Sequence, residues 1–188
     1  MPLRVHYGTS DGNTVPYPPL FNDICRNYGF VDTRGNVDRV RDIPEVQHSD
    51  GLRCLLEGLA QADSLFASLG CDLGERDRPK GRISMRKWAG GYVQIVVREE
   101  GLANSEFEKL RDLAKAVEEK LRQRVGDDQW ELRFILTAVQ LNFEVERRTQ
   151  SAWVWFNAKA STAQSALASR ERLLIAVGEA IYEFKADG

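Results

Sequence analysis

The stretch from Trp130 to Ala158 constrains this chain most. It holds three of the four tryptophans and the densest β-branched and aromatic content in the sequence. Trp130, Leu132, Phe134 and Leu136 share one parity, with Glu131 and Arg133 between them, which is the period-two pattern of a half-buried strand. Val139, Leu141, Phe143 and Val145 share the opposite parity. A one-residue slip turns every side chain to the other face, so the change at Thr137-Ala138-Val139 predicts a β-bulge. A tight bend is the alternative, but no Gly or Pro stands there to favour it. Arg147-Arg148-Thr149-Gln150 reads as a polar hairpin loop, and Ala152 to Ala158 as the returning strand.

In that returning strand Trp153 and Trp155 share one face, and Val154 and Phe156 the other. A strand apolar on both sides is usually covered on both, so core packing is the first reading of the two indoles. The second is an aromatic contact surface, where Trp and Tyr are enriched. On that reading Trp153, Trp155, Tyr17 and Phe21 are the candidate protein-binding residues.

Residues 1–47 are rich in turn formers and form a loop-rich arm, with a short strand at Leu3 to Tyr7 and a short helix at Leu20 to Tyr28. Tyr17, Leu20, Phe21, Ile24, Tyr28 and Phe30 are too many apolar residues for a disordered tail. The arm is expected to pack on the main domain or on a second copy. Ser49 or Asp50 caps a first helix whose stripe runs Leu52, Leu55, Leu56, Leu59, Ala62, Phe66, Leu69 and stops at Gly70. Gly58 within it costs about 1 kcal/mol against Ala and suits a close helix contact. Arg82 to Trp88 and Tyr92 to Arg98 read as a hairpin around Ala89-Gly90-Gly91. Ser105 and Glu108 form a capping box for a second helix ending at Gly126. Ser161 or Thr162 caps a third, with Leu167, Leu174, Val177, Ile181 and Phe184 along its stripe.

These elements predict an α+β domain over 48–188: an antiparallel sheet built from two hairpins with three flanking helices, in the order α-ββ-α-ββ-α, plus the N-terminal loop-rich arm. The order of elements is similar to that of small secretion chaperones of the type III class, which dimerise. No motif carries this likeness, and the arm of nearly fifty residues departs from it.

With 188 residues, 43% apolar and 29% charged, the chain has the balance of a globular protein that needs neither metal nor disulfide to hold its core. A net charge of −2 argues against general nucleic-acid binding and against a polybasic membrane anchor. No apolar run reaches signal-peptide or membrane-spanning length. Cys25, Cys54 and Cys71 are odd in number and show no Cys-x-x-Cys spacing. A cytoplasmic location with reduced thiols is the expectation.

Chemistry-bearing motifs are sparse. The three cysteines with His6 or His48 give only a weak case for a nucleophile and base, and they lack the short ligand spacings of a zinc site. Asp127 with Asp128, and Asp72 with Glu75 and Asp77, read as solvated loop carboxylates. Gly8 to Asn13 lacks the Lys and following helix of a phosphate loop. No catalytic residue, metal ligand or cofactor is assigned. A basic strip of Arg76, Arg78, Lys80, Arg82, Arg86 and Lys87 flanks Trp88 and Tyr92. It is a guarded edge strand or, as the alternative, a stacking-and-phosphate surface for nucleic acid. The expected function is a non-catalytic protein-binding, adaptor or chaperone-like module that self-associates as a homodimer. The alternatives are a nucleic-acid-binding module through 76–92 and an enzyme without a visible motif.

Overall fold

A computed structural model of the chain describes residues 4–7, 13–22, 26–74, 87–98, 103–124, 129–144 and 146–184. Among these residues are eight strands: β1 (Arg4–Tyr7), β2 (Thr14–Val15), β3 (Leu20–Phe21), β4 (Arg26–Asn27), β5 (Phe66–Gly74), β6 (Lys87–Val97), β7 (Gln129–Asn142) and β8 (Glu146–Ala160). Three α-helices accompany them: α1 (Asp50–Ala60), α2 (Ala103–Arg124) and α3 (Ala163–Glu183). Two 3-10 turns, Val37–Asp42 and Pro44–His48, lead into α1. The class is α+β.

The main sheet differs from the expected antiparallel pair of hairpins. It has six strands and is mixed: β5, β6, β8 and β7 lie side by side and antiparallel, and both β1 and β2 pair with the free side of β7 in parallel. The arm supplies those two strands. It also forms a separate two-stranded ribbon from β3 and β4, where a helix over Leu20 to Tyr28 was expected.

The predicted bulge in β7 is absent. Its register with β8 runs unbroken from Gln129↔Lys159 to Asn142↔Glu146. The strands separate after the Asn142↔Glu146 pair, and Arg147 to Gln150 lie within β8. The change of apolar parity has another cause: the two halves of β7 bury opposite faces. Trp130, Leu132, Phe134 and Leu136 face the helices and join Leu52, Leu55, Leu113, Val117, Leu173 and Val177 in the larger core. Val139 and Leu141 face away and pack with Val15, Ala67, Leu69 and Val96, with Tyr17, Phe30 and Phe143 against them. A straight strand with a core on each side needs no bulge.

Three further corrections follow from local chemistry. The first helix ends at Ala60, and the apolar residues after it belong to β5. Ser64 Oγ donates to the Phe66 carbonyl at 2.9 Å and accepts the Phe66 N–H at 3.3 Å, a competition that turns the chain out of a helix. Gly70 is thus a strand residue, and a Cβ there would stand 2.6 Å from Tyr17 Oη. Ala89-Gly90-Gly91 is not a turn but the interior of β6. A Cβ at Gly91 would lie 2.2 Å from the Asp72 carbonyl oxygen, and one at Gly90 2.1 Å from Asn157 Oδ1. Glycine here serves close approach, the other reason for Gly within a strand.

The third correction concerns the α1–α3 contact. A Cβ at Gly58 meets nothing within 4 Å, so this glycine does not make the contact expected of it. The close approach occurs at Gly51, whose Cβ would sit 2.7 Å from the Glu171 carbonyl, and at Gly178, whose Cβ would sit 3.2 Å from Leu55 Cα. Ser49 caps α1 by accepting the Leu52 N–H at 3.1 Å, and Thr162 caps α3 through the Ser165 N–H at 3.1 Å. α2 starts at Ala103, which places Ser105 inside its first turn rather than at the cap.

Candidate functional site

The site is built on the sheet face turned away from the helices. There β8 presents Trp153 and Trp155, and β6 presents Tyr92, which is paired directly with Trp155. Alternation makes this unavoidable, because Ala152, Val154 and Phe156 fill the helix-side core. Tyr92 wedges between the indoles, with ring centroids 4.8 Å from Trp153 and 4.9 Å from Trp155. The two indoles lie nearly parallel, 6.4 Å apart. Offset and tilted rings of this kind attract beyond their buried area. All three side chains are half-buried and keep part of their surface in solvent.

The platform is held from below by a polar network. Trp153 Nε1–H donates to Thr137 Oγ1 at 3.2 Å, which fixes the indole's tilt. Ser151 Oγ–H donates to the Thr137 carbonyl at 3.3 Å and accepts from Gln94 Nε2 at 2.9 Å. Gln94 is buried, and its amide also exchanges two hydrogen bonds with Asn13, at 3.1 and 2.9 Å. Asn13 in turn accepts the Gln140 N–H through its carbonyl at 3.0 Å. The arm thereby locks onto the same face that carries the aromatics.

Charge around the platform is mixed. Arg133, paired with Trp155 on β7, hydrogen-bonds Glu131 on its own strand. Asp72 pairs with Tyr92 from β5. Lys159 Nζ stands 4.6 Å above the Trp88 ring. The Tyr92 phenol is pushed well above its ordinary value, first by burial and then by the charge of Asp72. It remains a neutral hydroxyl at physiological pH.

The expected protein-binding residues do not all meet. Trp153 and Trp155 do. Tyr17 lies in the arm, its ring edge-on to Phe30 at 6.2 Å and its hydroxyl donating to the Leu69 carbonyl at 3.3 Å. Phe21 is on the β3–β4 ribbon, 60% exposed, with its ring against Tyr28 at 5.4 Å. Of the alternative nucleic-acid residues, Lys87 and Trp88 open β6. Arg78, Lys80, Arg82 and Arg86 lie outside the described residues, as do Cys25, Asp127 and Asp128. Tyr92 belongs to the platform and was not assigned to it from sequence. Its parity with Trp88 on β6 is the signal, but the Gly-Gly beside it reads first as a turn.

Other chemistry is limited. Cys71 is on β5, and burial, with Glu45 and Asp72 nearby, pushes its thiol up and away from a reactive thiolate. Cys54 and His48 are exposed on separate elements. A cleft between the arm and β5, lined by Tyr17, Tyr28, Phe30, Glu45 and Cys71, encloses about 40 Å3, room for water rather than a substrate. Among the described residues no three His, Cys, Asp or Glu side chains group as a metal site, and no helix is long and apolar enough to cross a membrane. No family model matches this chain, and no curated protein or solved structure matches it.

Proposed function

We propose that the protein is a non-catalytic protein-binding module whose contact surface is the aromatic face of the sheet. The observation that carries this is the Trp153–Tyr92–Trp155 cluster: three rigid amphipathic rings, touching one another, with the Trp153 indole hydrogen-bonded to Thr137 and all three partly open to solvent. Such rings offer large contact area at small cost in rotamer entropy, which is why Trp and Tyr anchor protein interfaces. The mixed charge of Arg133, Glu131, Asp72 and Lys159 suits a polar rim around an apolar centre.

A second reading rests on Lys159 above Trp88, beside Lys87. A cation next to a half-buried aromatic at the end of the platform is the unit from which single-stranded nucleic-acid surfaces are made. One experiment separates the two. A photo-crosslinking phenylalanine analogue at position 92, irradiated in the cell, should give adducts destroyed by protease, whereas the same analogue at Lys115 on α2 should give none. Adducts at position 92 destroyed by nuclease would favour the second reading. Adducts at neither position would overturn both.

A further inference from the structure

We infer that the outer face of α3 is a self-association surface that takes a second copy of this chain in antiparallel orientation. This goes beyond the sheet-face reading and uses the opposite side of the molecule. Ala168, Ile175 and Tyr182 recur every seven residues along α3 and all three are exposed. Ile175 is 40% exposed and Tyr182 66%, both unusual for large apolar side chains. They border an apolar groove of about 210 Å3 between α1 and α3, lined also by Cys54, Gly58, Gly178 and Glu179. The groove exists because Gly178 lets α3 approach Leu55 Cα closely, while Gly58 leaves open space above α1.

Charge identifies the occupant. The seam between the apolar residues carries Arg172 in the N-terminal half of α3 and Glu179 in the C-terminal half. About a two-fold axis beside Ile175, antiparallel helices set Ile175 against its own copy and Ala168 against Tyr182 of the second copy, small against large. The same arrangement sets Arg172 near Glu179 of the second copy, twice over. Parallel self-packing would oppose like charges instead. An unrelated partner would require no such inversion of charge along the seam, whereas an isologous contact does.

Sedimentation equilibrium of the full chain tests this. The expected mass at about 100 µM chain is twice the 21.3 kDa of one chain. Ile175→Glu should yield monomers with an unchanged circular dichroism spectrum. Arg172→Glu and Glu179→Arg should each weaken self-association about tenfold. An equimolar mixture of these two variants should recover it as a heterodimer, because every opposed pair is then of unlike sign. A wild-type monomer at all concentrations would overturn the inference. So would a dimer indifferent to Ile175→Glu, or a mixture that associates no better than its separate components.

Discussion

The carboxylate of Glu171 accepts the backbone N–H of Gly51 at 2.7 Å, so a side chain of α3 closes the N-terminus of α1. It also accepts the Ser49 hydroxyl at 2.8 Å, and that hydroxyl in turn takes the Leu52 N–H. Arg170, itself buried, steadies the carboxylate at 3.0 Å. A carboxylate at a helix N-terminus satisfies free N–H groups and complements the helix dipole. Glu171→Ala should lower stability by about 1–3 kcal/mol, read as a fall in the urea midpoint at constant m-value. Ser49→Ala should cost about 1 kcal/mol. The double variant should cost less than the sum, because the two groups share one network.

Gly91→Ala should destabilise by about 1–3 kcal/mol or more, since the new methyl meets the Asp72 carbonyl oxygen and the Phe156 ring. In a hairpin turn the same change would leave β6 intact. Loss of the amide protection shared by β5 and β6 in hydrogen exchange distinguishes the strand position from a turn.

The aromatic platform should show pairwise coupling. A double-mutant cycle of Tyr92→Leu and Trp155→Leu should return about 0.5–1.5 kcal/mol of interaction energy. Additive effects of the two changes would show that the rings do not support one another in solution.

Alkaline pH should weaken the fold. Burial raises the Tyr17 phenol to about 12, and the Tyr92 phenol is raised as well. Each group's folded value exceeds its unfolded value near 10, so the unfolded chain loses its phenolic protons first. The stabilisation is complete below pH 10 and is lost as pH rises toward 12. Tyr17→Phe should flatten the decline of the denaturation midpoint over that window.

The thiols should divide by position. Cys54, exposed on α1, should react readily with a maleimide in the dilute native protein, whereas half-buried Cys71 on β5, whose thiol is pushed up, should react far more slowly until the chain unfolds. Mass spectrometry of tryptic peptides reads the two sites separately. Labelling of Cys71 as fast as Cys54 would contradict its shielding on β5.

Alternation made the existence of β7 and β8 legible and grouped Trp130 with Phe134 and Val154 with Phe156, but not the length of β8 or the core these four share. What alternation could not supply was the reason for the parity change at Thr137. That depends on Val15, Tyr17 and Phe30, far away in sequence, arriving on the opposite face. The same distance effect hid the role of Gly90 and Gly91, because a carbonyl from β5 and an amide from β8 set their need for glycine. The helix-to-strand change after Ala60 was carried by one serine hydroxyl, a weak signal beside an apolar run that fits either period. The platform was less legible: parity put Trp153 and Trp155 on one face, but core packing was their first reading, and Tyr92 joined them only through strand pairing.

β7 is fourteen residues long and lies at the rim of the four antiparallel strands. Arg4–Tyr7 and Thr14–Val15 are stitched along its outer margin, opposite Arg133–Leu136 and Gln140–Leu141. Shorn of that selvage, the ribbon would offer unsatisfied amides and an uncovered Val139–Leu141 patch to any neighbouring molecule, an invitation to runaway fibril growth. β1 and β2 are therefore what finishes the β7 side of this sheet.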